Sequence, residues 1–229
     1  MKPQPNEHEI WNEAMAKKFD PDSFITKTGF VIRYVESQRL RKAAQLLNCQ
    51  ASDTILDVGC GAGNILELLL GRKIVGLDLS DTLLEMAQKR IAGKNGYELI
   101  KADAEKIPFP EGTFDRIICS EVLEHTVNPE KVIQEILRVG KNKTQVVLTV
   151  PNEELINKTK KIILALGLKK IVAGGYNMSD EMLEEWHKHE IKREWLLNTC
   201  RRYMDFLTSS SVPIWGLAYH TVFSFSLKK

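Results

Sequence analysis

The chain has 229 residues, of which 43% are hydrophobic and 27% are charged, and this composition is ordinary for a globular protein with a sizeable core. Its formal net charge of +2 gives no electrostatic argument for general binding to nucleic acid or to a membrane. The longest strongly apolar stretch, residues 162–168, is far shorter than the ~20 residues that span a bilayer.

The first fifty residues predict helices. Trp11, Met15 and Phe19 repeat at positions i, i+4 and i+8, and apolar residues between 32 and 47 predict a second helix. Residues 1–50 are therefore expected to form a helical extension of the core. Two arrangements are open at this point: the helices pack on the edge of a sheet, or they cover the functional site as a lid.

Short apolar runs alternate with helical patterns in the next hundred residues. Strands are predicted at residues 55–58, 73–79, 97–101, 114–120 and 145–150. Between them, helices are predicted at 65–70, from Ser80 as an N-cap, and from Pro129. Strands that alternate with helices at this pace predict an α/β fold of three layers, with helices on both faces of a parallel sheet.

The last part of the chain predicts a return to the sheet. Residues 153–168 and 192–201 predict helices, with a glycine-rich loop at 174–177. Residues 203–208 and 219–227 predict two strands joined through Ser-Ser-Ser-Val-Pro. Such a pair can place one antiparallel strand in an otherwise parallel sheet.

The stretch ILDVGCGAGN, residues 55–64, has the pattern DxGxGxG. A dinucleotide fingerprint needs GxGxxG, and Asn64 stands where its third glycine would be, which argues against a nicotinamide-dependent dehydrogenase. The GK[ST] of a triphosphate-binding loop is also missing. Asp78 ends the second strand and suits the two hydroxyls of a ribose, whereas Asp103 ends the third and suits an adenine amino group. The pattern predicts a nucleoside ligand.

Together these features resemble the class I S-adenosylmethionine-dependent methyltransferases, in the small-molecule, ubiquinone-pathway-like branch. The matching segments are ILDVGCGAGN, VGLDLS, ADAEKIPFPEGTFDRIICSEVLEH and TVPN, in the family's order. The resemblance implies a Rossmann-like sheet of seven strands with the last strand antiparallel. It also implies a methyltransferase domain at residues 51–229, with a lid inserted between the fifth and sixth strands at about 153–202.

The resemblance further implies S-adenosylmethionine as the cofactor and a small organic acceptor methylated at oxygen or carbon. By the same resemblance, the glycine loop lies against the methionine portion, Asp57 holds its ammonium group, Asp78 binds the ribose, and Ser120 lies near the sulfonium. The residues expected to contact the cofactor are Asp57, Gly59, Cys60, Gly61, Gly63, Asp78, Leu79, Asp103, Ala104 and Ser120.

The segment SEVLEH, residues 120–125, carries the candidate catalytic group. His125 is the candidate general base, because an imidazole titrates near neutral pH. An alternative is that Glu121, Glu124 and His125 hold a divalent cation, since positions i, i+3 and i+4 share one side of a helical turn. This ExxEH set resembles the metal-binding segment of some ubiquinone-pathway O-methyltransferases and of small-RNA 2′-O-methyltransferases. A structural role for His125, or a role on the cofactor side of the site, is the third interpretation.

The segment EEWHKHEIKREW, residues 184–195, is the second concentration of reactive side chains. His187 and His189 either approach His125 from a lid and complete an acceptor site, or lie on a solvated helix. Together with Glu121, these two histidines are the candidate substrate-binding residues.

Two other functions of the same fold stay open, namely a non-catalytic subunit that binds S-adenosylmethionine and a nucleic-acid methyltransferase. The near-neutral charge, and Ser-Glu-Val-Leu in place of an NPPY-like segment after the fourth strand, argue against a nucleic-acid acceptor. Four separated cysteines and the lack of an apolar signal-peptide core predict a cytoplasmic protein that is not inserted in a membrane.

Overall fold

The computed structural model of the protein describes residues 7–19, 26–168, 174, 187–213 and 218–228. The strands are β1 (Thr54–Val58), β2 (Lys73–Asp78), β3 (Tyr97–Lys101), β4 (Phe114–Ser120), β5 (Gly140–Pro151), β6 (Met204–Val212) and β7 (His220–Leu227). The helices are α1 (Glu7–Lys18), α2 (Phe30–Leu47), α3 (Asp81–Arg90), α4 (Pro129–Val139), α5 (Glu153–Ala165) and α6 (Arg193–Arg201). Short 3₁₀ helices occur at Leu66–Leu68 and Leu123–His125.

The seven strands form one sheet in the order β3-β2-β1-β4-β5-β7-β6. The pairs from β3 to β5 are parallel, and β7 runs antiparallel to both of its neighbours. The predicted seven-stranded, mostly parallel sheet with its last strand antiparallel is therefore confirmed.

The sheet is covered by helices on both faces, as the apolar runs predicted. All five residues of β1 are buried. Leu56 and Val58 face a core completed by α4 and α6, whereas Ile55 faces a second core completed by α2. Because successive side chains of a strand point to opposite faces, a strand inside such a sandwich has to be apolar throughout.

Two predicted elements differ in the structure. The helix expected at residues 65–70 is only a 3₁₀ helix at Leu66–Leu68, because the chain must turn sharply into β2 at Gly71. A Cβ atom at Gly71 would lie 2.9 Å from the carbonyl oxygen of Asp53, so the turn passes close against the start of β1. The serines expected in a turn before Pro213 belong to β6. This strand pairs with β7 from Met204 to Val212, with an irregularity between Phe206 and Thr208, and its mostly polar, partly exposed side chains suit an edge strand.

Helix α1 is fastened to the amino-terminal end of α3. The carboxylate of Glu13 accepts hydrogen bonds from the hydroxyls of Ser80 (2.6 Å) and Thr82 (2.5 Å). Ser80 itself caps α3, as predicted, by accepting a bond of 3.2 Å from the backbone N–H of Leu83. A carboxylate at this helix end is favourable because unpaired N–H groups and the helix dipole make the end positive.

The segment between α5 and α6 is described only in part. Gly174 lies with its backbone against residues 27–29, at the turn before α2. The rest of the predicted glycine-rich loop, and Trp186, lie outside the described residues. None of the helices in the described ranges is long and apolar enough to cross a bilayer.

Candidate active site

A cavity of about 490 Å³ lies along the carboxyl ends of the parallel strands. Side chains from the ends of β1, β2 and β4 line it, together with the segment after β3 and Pro151 at the end of β5. Helices α1 and α2 form one wall and α5 another, so the amino-terminal extension contributes directly to the cavity. Open α/β sheets bind their ligands at this edge.

The glycine loop follows β1 and bends the chain around the cavity. Gly59 has φ of +69°, and a Cβ atom there would lie 2.4 Å from a methyl carbon of Val122. Only glycine combines that backbone conformation with so close an approach. Gly63 plays a different part from the one expected: it does not line the cavity, and its Cα faces Ala87 of α3. The third glycine therefore brings the loop close to the helix.

Asp57, at the end of β1, presents an unpaired oxygen. The side chain is 1% exposed, it lines the cavity, and its Oδ2 atom has no hydrogen-bond partner among the residues that the structure describes. Burial, reinforced by the nearby charge of Asp78, raises the pKa of Asp57 to about 8. A buried carboxylate oxygen without a hydrogen bond lowers the stability of the folded protein. A cationic ligand group in the cavity would supply the missing hydrogen bond.

Asp78, at the end of β2, is held by the backbone. Its Oδ2 atom accepts from the N–H of Gly61 at 2.8 Å, and its Oδ1 atom accepts from the N–H of Ser80 at 2.9 Å. Each carboxylate oxygen can accept a second hydrogen bond, so the side chain can still bind two hydroxyls. The other sequence-predicted cofactor residues that line the cavity are Gly59, Cys60, Gly61, Leu79, Asp103, Ala104 and Ser120.

The inner end of the cavity contains a closed ring of six hydrogen-bonded side chains. The ring runs through Arg39, Ser120, Thr149, Glu121, His220 and Glu36, and back to Arg39. We call these six residues the charged ring. They come from α2, the end of β4, β5 and the start of β7.

The charged ring changes the expected role of Ser120. Its hydroxyl accepts from Arg39 at 2.5 Å and lies 3.0 Å from the hydroxyl of Thr149. Thr149 donates its own proton to Glu121 at 2.7 Å, so Ser120 must be the donor in the bond between the two hydroxyls. Ser120 lines the cavity, but its hydroxyl already accepts one hydrogen bond from Arg39 and donates one to Thr149.

Charges within the ring are paired. Burial alone lowers the pKa of His220, but the carboxylates of Glu121 and Glu36 raise it to about 9. Burial raises the pKa of Glu121, and the opposing effect of His220 and then Arg39 brings it down to about 2. At neutral pH His220 is therefore an imidazolium between two carboxylates, and the ring has two positive and two negative groups.

The expected cation set of Glu121, Glu124 and His125 is not the one that the structure brings together. Glu121 has φ of +56°, precedes the 3₁₀ helix and turns towards His220. His187 takes its place: ligand atoms of Glu124, His125 and His187 all lie within 4.8 Å of one another. The rings of His125 and His187 meet edge to face with centroids 5.0 Å apart, so His187 does approach His125.

The segment around His187 is hydrogen-bonded to the 3₁₀ helix after β4. The backbone N–H groups of Lys188 and His189 donate to the carbonyl oxygen of Glu124 at 2.7 and 3.2 Å. Nδ1 of His187 lies 2.8 Å from the carboxylate of Glu153, the first residue of α5. His189 does not line the cavity: its Nε2 atom lies 3.1 Å from the carbonyl oxygen of Val127. The structure therefore gives no support to His189 as a substrate-binding residue.

Glu124 is fully buried, and within the described part of the chain neither of its side-chain oxygens has a hydrogen-bond partner. Burial first, and the charge of Glu121 second, raise the pKa of Glu124 well above its usual range. Burial therefore favours the neutral form of this carboxyl group, which lies beside two imidazoles. It can donate a proton or, when ionised, complete a ligand set of one carboxylate and two imidazoles.

Four important side chains were missed in the sequence. Glu36, Arg39 and His220 belong to the charged ring, and Glu153 contacts His187. Glu36 and Arg39 are charged residues spaced i, i+3 next to buried Val35 of α2, which is a detectable signal for an internal ion pair. His220 begins the last strand, but its two carboxylate partners come from distant parts of the chain.

Residues 56–148 match a family model described as a methyltransferase domain. The chain is 31% identical over 157 residues to a demethylmenaquinone methyltransferase of Clavibacter sepedonicus, covering 64% of this chain and 64% of the relative. It is 29% identical over 162 residues to a mitochondrial ubiquinone biosynthesis O-methyltransferase of Schizosaccharomyces pombe, covering 67% of this chain and 59% of the relative. The matched part therefore spans less than two thirds of either relative.

The magnesium protoporphyrin IX methyltransferase of Synechocystis PCC 6803, solved with bound SAH, has a similar structure. The TM-score is 0.67 at 15% sequence identity, over 96% of this chain and 98% of that chain. At this identity the similarity shows a shared fold.

Proposed function

The chain belongs to the class I S-adenosylmethionine-dependent methyltransferases, and we propose that it transfers the methyl group of this cofactor to oxygen or carbon of a small organic acceptor. The observation that carries the proposal is the unpaired, buried Oδ2 atom of Asp57 at the cavity, directly before the glycine loop. A ligand with an ammonium group would satisfy that atom.

The residues present fit the cofactor in three respects. Asp57 would hold the ammonium group. Each carboxylate oxygen of Asp78 already accepts one hydrogen bond from the backbone and would accept a second one from a ribose hydroxyl. Asp103 and Ala104 would border the adenine, with Leu79 packed on its ring. The bound cofactor supplies an electrophilic methyl group, and the protein supplies position and shelter from water.

The acceptor would occupy the part of the cavity between α2 and α5. Apolar side chains of both helices line this part, and the histidines and the charged ring lie at its inner end. An acceptor with an apolar portion and a polar reacting group fits this division. The two similar proteins, a demethylmenaquinone methyltransferase and a ubiquinone biosynthesis O-methyltransferase, have names that are compatible with such an acceptor.

We propose that the His125–His187 pair receives the acceptor's proton when the acceptor is a hydroxyl. Both imidazoles line the cavity. Glu153 acts as a positioning residue, because its carboxylate lies 2.8 Å from Nδ1 of His187 and directs the Nε2 atom away from itself. A carboxylate on one ring nitrogen fixes the tautomer and orients the other nitrogen as a base.

A second role for this cluster is cation binding, and the observation that favours it is the unpaired carboxyl of Glu124 beside two imidazoles. A divalent cation there would bind the acceptor's oxygen and lower its pKa, which would make a separate base unnecessary. Chelation distinguishes the two roles, because only the second depends on a metal.

Calorimetric titration with S-adenosylmethionine, S-adenosylhomocysteine and NAD tests the cofactor assignment. We expect the first two to bind and NAD not to bind, whereas binding of NAD alone would overturn it. Turnover of methyl-labelled cofactor with a panel of phenols, carboxylic acids and activated carbon acids tests the activity. A protein that binds the cofactor but methylates none of them would favour a non-catalytic subunit.

A further inference from the structure

We propose that His8 of α1 is a further cofactor-binding residue, which donates a hydrogen bond to a ring nitrogen of the adenine, and that Lys188 is the positioning residue that fixes this donor. This role rests on the proposed function, because it requires S-adenosylmethionine in the cavity. It extends the cofactor site from the ends of the strands to the amino-terminal helix.

His8 lies at the nucleoside end of the cavity. It lines the cavity together with Leu79, Asp103 and Ala104, the residues expected around the adenine. Asp103 lies close enough for its charge to act on the pKa of His8. His8 therefore stands beside the carboxylate that would accept from the adenine amino group.

Helix α1 is held at this end of the cavity by two acidic side chains. Glu13 is hydrogen-bonded to the start of α3, as described above. One turn earlier, the carboxylate of Glu9 lies 2.7 Å from the ammonium group of Lys101, the last residue of β3 and two residues before Asp103. These contacts of its own helix place His8 across the end of β3.

Lys188 determines which nitrogen of His8 carries the proton. Burial, and then the charge of Lys188, lower the pKa of His8 from its ordinary value of 6.5, so the ring is neutral at neutral pH. Nζ of Lys188 lies 2.7 Å from Nδ1 of His8. Because an ammonium group can only donate, Nδ1 is the acceptor and the ring proton is on Nε2. Nε2 is therefore a donor, and it has no hydrogen-bond partner among the described residues.

The side chain of Lys188 is itself held in place. Its Nζ atom lies 4.1 Å from the centroid of the Trp11 ring, and the rings of Trp11 and His8 are stacked with centroids 5.9 Å apart. A cation over the face of an indole is attracted by the ring. The backbone N–H of Lys188 donates to the carbonyl oxygen of Glu124. Lys188 is thus fixed at both ends and can orient His8.

An acceptor and a donor that lie side by side are complementary to adenine. The carboxylate of Asp103 can accept from the amino group, and the Nε2–H group of His8 can donate to a ring nitrogen. Hypoxanthine carries an oxygen in place of the amino group, so it would place a second acceptor against the carboxylate. The pair would therefore favour adenine over such a base.

Calorimetric titration with S-adenosylhomocysteine tests the role of His8 without any methyl acceptor. His8→Phe keeps an aromatic ring that can stack on Trp11 and removes the donor, and it should weaken binding by about 3- to 10-fold. The matched control is His189→Phe, which makes the same change outside the cavity and should bind as the wild type does.

Deaza analogues test for the hydrogen bond itself. Analogues of S-adenosylhomocysteine with carbon in place of N1, N3 or N7 of the adenine are titrated into the wild type and His8→Phe. We expect one analogue to bind the wild type about 3- to 10-fold more weakly than the parent compound does. The same analogue should bind His8→Phe as the parent does, because the hydrogen bond is already lost. A merely structural effect of the variant would weaken the parent and the analogues equally.

Lys188→Met tests the positioning role. It keeps an unbranched side chain and removes the donor to Nδ1, so His8 can also adopt the tautomer with its proton on Nδ1. The wild type's preference for the parent compound over that analogue should therefore become smaller. The matched control is Lys192→Met, at an exposed lysine of the same segment that does not line the cavity, and its preference should be unchanged.

Two results would overturn the role of His8. One is equal affinity of the wild type and His8→Phe for S-adenosylhomocysteine, and the other is a His8→Phe variant that discriminates against each analogue as strongly as the wild type does. Unchanged discrimination in Lys188→Met would exclude Lys188 as the positioning residue. A wild type that does not bind S-adenosylhomocysteine would refute the proposed cofactor itself, so the two failures are distinguishable.

Discussion

The Nδ1 atom of His220 lies 2.9 Å from Oε2 of Glu121, and this contact joins the antiparallel last strand to the turn that follows β4. The other ring nitrogen of His220 lies 3.2 Å from Glu36, which closes the charged ring onto α2. Glu121 has a left-handed backbone conformation, which is rare outside glycine and is sustained only where the surroundings fix it. The charged ring supplies that support at the inner end of the cavity.

His220→Ala is expected to destabilise the protein by about 3–5 kcal/mol, because it leaves Glu36 and Glu121 buried with one fewer positive partner. Urea unfolding at neutral pH measures this change. The matched control is His189→Ala, whose imidazole contacts only a backbone carbonyl among the contacts that the described residues show, and which should cost less than about 1 kcal/mol. Equal stability of the two variants would contradict the structural role of the ring.

The charged ring also predicts a stability that falls in alkaline solution. The pKa of His220 is about 9 in the folded protein, above its ordinary value of 6.5. Its stabilising contribution is therefore complete below pH 6.5 and is lost as the pH rises through about 9. The groups that face it are the carboxylates of Glu36 and Glu121, and Arg39 interacts with both of these carboxylates.

The pH measurement needs a comparison, because Asp57 titrates in a similar range. The pKa of Asp57 is raised to about 8, so its ionisation also lowers stability as the pH rises. The difference between the wild type and His220→Gln removes this shared contribution. We expect that difference to shrink between about pH 6.5 and 9, and a constant difference would exclude an imidazolium at His220.

The sheet could be predicted from the sequence because each buried strand carries its own signal. The apolar run of β1 between Thr54 and Gly59 is local information, and the alternation of β7 indicates a strand in the same way. Where the prediction was wrong, the cause was a contact with a distant residue. The 3₁₀ helix before Gly71 is one example, because the turn is set by the backbone of Asp53.

The same limit applies to the site. The glycine loop, Asp57 and Asp78 follow strands directly, so their positions at the cavity follow from topology. The charged ring could not be predicted in this way, because Glu36, Glu121 and His220 are joined only by the fold. The prediction that Glu121, Glu124 and His125 share one side of a helical turn was wrong, because Glu121 lies outside the 3₁₀ helix.

Cofactor affinity is expected to depend on pH through Asp57. Its carboxyl is protonated in the free protein below about pH 8, and pairing with an ammonium group requires the ionised form. Binding should therefore release a proton and strengthen by up to about tenfold per pH unit between roughly pH 6 and 7.5. Calorimetry in two buffers of different ionisation enthalpy measures the proton. Asp57→Asn should bind more weakly and lose the pH dependence, and a persistent slope would exclude Asp57.

Asp78→Asn is expected to weaken binding of S-adenosylmethionine by about 10- to 150-fold, because it removes charge-assisted hydrogen bonds to the ribose. Asparagine is preferable to alanine here, since it can retain an acceptor for the N–H groups of Gly61 or Ser80 that hold the loop. Asp81→Asn makes the same change at an exposed carboxylate on α3 and should bind normally. Unchanged affinity in a folded Asp78→Asn variant would refute the assignment.

The catalytic cluster can be tested by separating orientation, proton transfer and metal binding. If the histidines receive the acceptor's proton, His187→Ala should lower kcat by roughly 10²–10⁴, whereas a chelator should have no effect. Glu153→Gln should lower kcat by about tenfold and shift the pH–rate profile with KM unchanged, because its carboxylate orients His187 and does not line the cavity. His189→Ala is the control outside the cavity.

The cation alternative makes the opposite prediction for chelation. Turnover would stop on adding a chelator and return with magnesium or manganese, and Glu124→Gln would abolish binding of the metal alone in a calorimetric titration. We expect the proton-transfer result, because the carboxylate of Glu153 already orients His187, and burial followed by the charge of Glu121 raises the pKa of Glu124 well above its usual range. Near-full turnover in His125→Ala, His187→Ala and Glu124→Gln would exclude both roles. Proximity and the acceptor's own reactivity would then account for the reaction.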